Sequence, residues 1–241
     1  MKFSEFLNES INDKGRLKAL FVVGLPGSGK TYTISKLNGT ISPRIINTDK
    51  MVEFYSKKLN VDATPENWKD IFRDKSKHTT VENAYNYING MLPLFIDSTS
   101  NSSSNILMRS GLLESLGYDV GCVYVHTSLE TALNRVQARN VDNTRKVDVD
   151  FIKRVHDKIE DDISFLRSKF DFFLEVDNSE DKLTNESMEL AFKKVASFYN
   201  KEISNPIGRR LIKTLEAEKE SYLVPSQMTE EKLKSRLASW Y

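Results

Sequence analysis

A single cysteine, Cys122, leaves the chain unable to close an internal disulfide or to build a thiolate zinc site. The three histidines, His78, His126 and His156, fall at no metal-ligand spacing. Long apolar runs are also missing: stretches such as 19–23 are far shorter than the roughly 20 residues that span a bilayer, so no membrane partner is expected. Excess charge is missing too, since 35 Lys plus Arg against 34 Asp plus Glu leave +1. No overall field draws the protein to polyanions, and any such binding must be local. The first ten residues, MKFSEFLNES, alternate polar and apolar groups without the unbroken apolar core of a secretory signal. These absences point to a reducing, cytoplasmic setting. What remains is an ordinary folding composition, 241 residues with 39% hydrophobic and 29% charged, enough for one or two domains.

Short β-rich apolar runs at 17–24 (LKALFVVG), 44–47 (RIIN), 92–97 (LPLFID), 119–126 (DVGCVYVH) and 170–176 (FDFFLEV) alternate with segments of helical period. Those segments are 32–37, 50–59, 81–90, 105–116, 129–139 and 151–170. Such alternation predicts an α/β domain with a mainly parallel sheet covered by helices on both faces. Thr127 followed by Glu130 fits a capping box. Ile152, Val155, Ile159, Ile163, Leu166 and Phe170 recur every three or four residues, the mark of a long amphipathic helix. The organisation expected is a leader or frayed helix over 1–15, a domain over 16–204 and a helical extension over 205–241, with helices at 209–220 and 229–240.

Between the first strand and the next helix stands Gly24-Leu25-Pro26-Gly27-Ser28-Gly29-Lys30-Thr31, the pattern G-x-x-x-x-G-K-[ST] in the context it requires. Its glycines let backbone N–H groups converge on an anion, and the following helix adds its positive dipole end. Lys30 is placed to reach the β and γ phosphates of ATP, and Thr31 to offer its hydroxyl to Mg²⁺. The residues 24–31 and the adjoining Tyr32 form the expected nucleotide-binding set.

Asp97 closes an apolar run in the manner of a carboxylate that orients Mg²⁺, or else it caps the segment that follows. Asp49, just past the second strand, can accept a proton from an attacking hydroxyl, or else it caps the helix at 50–59. Arg135, Arg139, Arg145 and Lys146 lie in a polar segment, 135–148, that could close over a nucleotide and bring guanidinium groups to a transferring phosphoryl. Taken singly, each reads more readily as part of a solvated charged face.

Together, GLPGSGKT, IINTD, PLFIDSTSN, NRVQARN and TRKVDVDFI make residues 17–178 resemble the polynucleotide kinase and zeta toxin group of P-loop kinases. The resemblance implies a P-loop NTPase-like fold with a five-stranded parallel sheet and the phosphate loop after its central strand. It also implies a general base at Asp49 and charge-stabilising arginines at Arg139 and Arg135. Where those kinases often carry a substrate-gripping arginine three residues after the base, this chain has Val52. Residues 50–91 occupy the place of the acceptor-binding insertion. Their aromatics, Phe54, Tyr55, Trp68, Phe72, Tyr85 and Tyr87, interleave with lysines that could contact nucleic acid, although such spacing more often marks core and rim.

MKFSEFLNES further resembles the leaders of internal head proteins of tailed phages, with a cleavage site at Leu7-Asn8-Glu9. That resemblance implies a phage-encoded protein, in the host cytoplasm or associated with the virion head. The expectation is therefore an ATP- and Mg²⁺-dependent kinase acting on a hydroxyl of a nucleic-acid end or nucleotide. A nucleotide sugar or other small metabolite is the second acceptor class, and an ATP-binding packaging factor without catalysis is the rival.

Overall fold

The computed structural model describes residues 15–39, 42–64, 66–99, 102–142, 147–179 and 184–222. All but the last residue of the expected leader or frayed helix at 1–15, Arg145, Lys146 and the helix at 229–240 lie outside the described residues.

Five parallel strands form one sheet in the order β2-β3-β1-β4-β5: β1 Lys18–Gly24, β2 Arg44–Ile46, β3 Leu94–Thr99, β4 Asp119–His126 and β5 Phe173–Asp177. All seven residues of β1 are buried, which is why it reads as an unbroken apolar run once past Lys18. The helices are α1 Lys30–Leu37, α2 Thr48–Leu59, α3 Asp74–Asn89, α4 Ser103–Ser115, α5 Leu129–Asp142, α6 Val149–Arg167, α7 Asn185–Asn200 and α8 Pro206–Tyr222. A π-helical turn, Trp68–Arg73, leads into α3.

Alternating side chains of the sheet feed two cores. Leu20, Val22, Phe95, Val123 and Val125 pack with Ile34 and Leu37 of α1 and Ala191, Val195 and Tyr199 of α7. Phe21, Val23, Cys122 and Tyr124 face the other way, onto Ile106 and Leu113 of α4, Val136 of α5 and the apolar stripe of α6. That stripe is the predicted one as far as Leu166 (Ile152, Val155, Ile159, Ile163 and Leu166), each side chain contributing about 2 kcal/mol by leaving water; Phe170, expected on the same helix, joins this core from beyond the helix end at Arg167. The Tyr199 hydroxyl, fully buried, donates to the Leu94 carbonyl at 2.7 Å, and burial raises its pKa well above the ordinary phenol value. A third, small core holds Val52, Ala63 and Phe72 with Tyr55, Trp68 and Ile71 around them. Most aromatics of 50–91 are thus core and rim; Phe54 and Tyr85 are exposed.

The helix starts differ from the expected ones. Ser128, not Thr127, caps α5, its hydroxyl accepting from the Thr131 N–H at 3.2 Å. Thr127 instead donates to the Asn178 carbonyl at 3.4 Å. At the opposite end of the sheet from the phosphate loop, Asp119 accepts from the Lys18 ammonium at 2.6 Å and from the backbone N–H groups of Ser204 and Asn205, fastening the connection between α7 and α8 to the start of β4. Among the described residues no helix is long and apolar enough to cross a membrane.

Candidate active site

Residues 24–31 turn from β1 into α1 through a loop whose form depends on left-handed glycines. Gly27 has φ 85° and Gly29 φ 86°, and a Cβ on Gly29 would run into the Asn178 amide. Only glycine meets both demands. The loop lies at the carboxyl end of the central strand, where parallel sheets bind ligands.

Lys30, 9% exposed, donates its ammonium to the Gly24 and Leu25 carbonyls at 3.0 and 2.9 Å, so the charge stays on the inner rim of the loop. Pro26, Gly27, Gly29, Lys30 and Thr31 border a cavity of about 280 Å³, while Gly24, Leu25, Ser28 and Tyr32 do not. Ser28 is wholly buried, and Tyr32 is exposed with the Lys36 ammonium 5.4 Å from its ring centre.

The remaining walls bring together residues far apart in sequence. Asp49, Lys50 and Glu53 come from the first turns of α2, Asp97 from β3, Arg135 and Arg139 from consecutive turns of α5, Val147 from just ahead of α6 and Phe151 from its first turn. The four residues given catalytic roles by sequence, Lys30, Asp49, Arg135 and Arg139, and the two given metal roles, Thr31 and Asp97, therefore border one space. Arg145 and Lys146 lie outside the described residues.

Neither carboxylate is a helix cap. The Asn47 side chain caps α2 by accepting from the Lys50 N–H at 3.1 Å, leaving Asp49 inside the first turn. Ser102 caps α4 in the same way, while Asp97 lies within β3, level with Val22, because the strand runs on to Thr99. Asp97 accepts a 2.7 Å hydrogen bond from the Asn47 amide.

Three contacts brace the site from behind. Asn178, just past β5, donates its amide to the Ser28 carbonyl at 2.6 Å, and its own carbonyl accepts from Arg135 at 2.9 Å. Asn140 pairs with the backbone of Val147 twice, donating to its carbonyl and accepting from its N–H, each at 3.1 Å. Next to Asn178, burial pushes the Asp177 carboxyl upward, but donors from Ser179 and His126 overcome it and hold the group well below the usual carboxylate range. Sequence reasoning missed Asn47, Lys50, Glu53, Asn140, Val147, Phe151 and Asn178 as site residues. Asn47 carried a visible signal, a capping residue directly after a strand, but Thr48 and Asp49 beside it are equally good caps.

Thr31 and Asp97 supply hard oxygen donors on this cavity, the kind Mg²⁺ takes. Among the described residues no group of three or more His, Cys, Asp or Glu could hold a metal ion unaided. The donor set thus fits an ion that completes its shell from nucleotide phosphates and water, the usual habit of Mg²⁺. A larger cavity, about 620 Å³, lies at the other end of the sheet, with Lys18 and Asp119 among its lining. Those two groups are spent on each other and on the α7–α8 connection, so chemistry is assigned to the smaller cavity.

Comparison with solved structures finds the same fold in other chains. A candidate kinase from Chloroflexus aurantiacus superposes with TM-score 0.55 at 15% identity, covering 76% of this chain and 98% of the other. A chain of the PezAT chromosomal toxin-antitoxin system of Streptococcus pneumoniae gives TM-score 0.54 at 18% identity, covering 92% and 93%. No curated protein sequence matches. The family model described as Zeta toxin matches residues 5–187, a span that holds the phosphate loop, both carboxylates and both arginines: the chain belongs to the zeta toxin family and is a P-loop phosphotransferase.

Proposed function

We propose that this protein transfers the γ-phosphoryl group of ATP to a hydroxyl of a small, polar acceptor. The observation that carries this reading is the convergence of Lys30, Asp49, Asp97, Arg135 and Arg139 on one cavity of about 280 Å³ beside the phosphate loop. Lys30 and the backbone of 27–31 hold the triphosphate, and the arginines of α5 meet the charge that develops on the transferring group. Mg²⁺, held with Thr31 and Asp97, would neutralise phosphate charge. Asp49 takes the proton of the acceptor hydroxyl as its oxygen bonds to the γ phosphorus; the bond to the bridging oxygen breaks, and its electron pair leaves with ADP.

A small acceptor is favoured over a nucleic-acid end by Val52. In the position where polynucleotide kinases often place an arginine, this side chain is fully buried in the third core and presents nothing to a backbone phosphate. The nucleic-acid reading keeps one observation in its favour, the exposed Phe54 with the Lys58 ammonium 5.9 Å from its ring centre. Incubation with γ-labelled ATP and Mg²⁺ decides between them, using nucleosides, nucleotide sugars, 5′-hydroxyl DNA and 5′-hydroxyl RNA as acceptors and Lys30→Ala as the control. Label on a small acceptor, lost with Lys30→Ala, is the expected result. Label confined to polynucleotide ends would overturn the acceptor class, and label independent of Lys30 would overturn the site.

A further inference from the structure

Three residues in a row, Asn47, Thr48 and Asp49, could each cap α2, and the structure uses Asn47. Asp, Ser and Thr cap helices about as well as Asn does, so capping by itself does not explain an amide here. The second contact of the side chain does. Its oxygen accepts from the Lys50 N–H at 3.1 Å, while its nitrogen donates to Asp97 Oδ2 at 2.7 Å. The amide orientation is fixed by its partners, because a backbone N–H can only donate and a carboxylate only accept. An aspartate at 47 would face Asp97 with a second negative charge, and a serine is too short to serve both neighbours. Asn47 is 7% exposed, so neither contact is easily replaced by water.

We infer that Asn47 is a positioning residue: it orients the Asp97 carboxylate for the metal ion and, through the cap, fixes the turn of α2 that carries Asp49. This rests on the phosphotransfer reading of the same cavity. One side chain thereby sets the register between the carboxylate assigned to the metal and the one assigned to the proton. Partners that orient metal ligands from behind change metal affinity or activity by about 10- to 100-fold when removed.

The test uses the full chain with ATP and Mn²⁺ as the metal probe, titrated by electron paramagnetic resonance, beside thermal melts and single-turnover transfer. Asn47→Ser keeps a cap and drops the bond to Asp97. The melting temperature should stay within about 3 °C of wild type, and metal-free ATP affinity should hold. Mn²⁺ affinity and the maximal rate should each fall about tenfold or more. In an Asp97→Asn background the same change should cause no further loss of Mn²⁺ affinity, a comparison that remains valid if the single variant is less stable. Mn²⁺ binding by Asn47→Ser within twofold of wild type, or a loss that adds to that of Asp97→Asn, would overturn the inference while the phosphotransfer reading stands. If wild type with ATP retains no Mn²⁺, the reading and the inference fall together.

Discussion

The side-chain amide of Asn178 and the carbonyl of Ser28 lie 2.6 Å apart across 150 residues of sequence, joining the end of β5 to the middle of the phosphate loop. Because Ser28 is buried, no water replaces the amide if it is lost. The loop must point its N–H groups outward to receive phosphate, and a carbonyl held from behind resists the peptide flip that would reverse one of them. Asn178→Ala should therefore weaken ATP binding by about tenfold and cost about 1–2 kcal/mol of stability, the usual toll of an orphaned buried acceptor. Calorimetric titration of ATP and a urea melt measure the two; unchanged affinity would show that the loop keeps its shape without help.

Asp49 is not the cap of α2, so its removal should not unfold that helix. Asp49→Asn is expected to slow phosphoryl transfer by about two to four orders of magnitude while ATP affinity and melting temperature change little. A normal rate accompanied by a lower melting temperature would assign Asp49 to structure.

Arg139 borders the cavity one helical turn after Arg135, which already holds the Asn178 carbonyl. If Arg139 meets the phosphoryl group mainly in the transition state, Arg139→Ala should lower the maximal rate far more than it weakens binding of a non-hydrolysable ATP analogue. Arg135→Ala should also disturb Asn178 and so reduce ATP affinity. Equal losses of rate and affinity for Arg139→Ala would make it a ground-state binding residue.

Burial pushes the Asp119 carboxyl upward, but bonds from the Lys18 ammonium and from Ser204 prevail, so its pKa lies below the ordinary carboxylate value. A carboxyl whose folded pKa is lower than its unfolded value, about 3.9, stabilises the fold above that pH and loses its contribution as pH falls toward the folded value. Asp119→Asn leaves the 2% exposed Lys18 without its counter-charge and should cost about 3 kcal/mol at pH 7. The gap between variant and wild type should narrow by pH 3 in urea melts. A gap independent of pH would mean that the carboxylate's charge is not what matters.

Strand and helix alternation was legible in the sequence because β1 and its neighbours are buried on both faces and α6 on one, patterns that burial writes directly into composition. Lys30 and Thr31 were legible because a phosphate loop is local: its residues are adjacent and its glycines obligatory. Asp49 and Asp97 were visible as acids beside strands, yet their alternative reading as caps fell only when Asn47 and Ser102 were seen in those positions. Asn178 could not be read at all. Its contact with Ser28 exists only because β5 is added at the β4 edge of the sheet, and no local pattern encodes that meeting.

The paired hydrogen bonds between Asn140 and Val147 close a ring across the chain between α5 and α6. Arg139 sits just before the clasp and Phe151 shortly after it, so the placement of both is set by the clasp rather than by how much chain the ring contains. Closing a longer ring adds only about 0.6 kcal/mol for each doubling of its length. Changing the number of residues within that ring should therefore cost little and leave Arg139 and Phe151 where they border the cavity. Here one side chain's grip on the backbone, not the run of residues between, sets where two walls of the cavity stand.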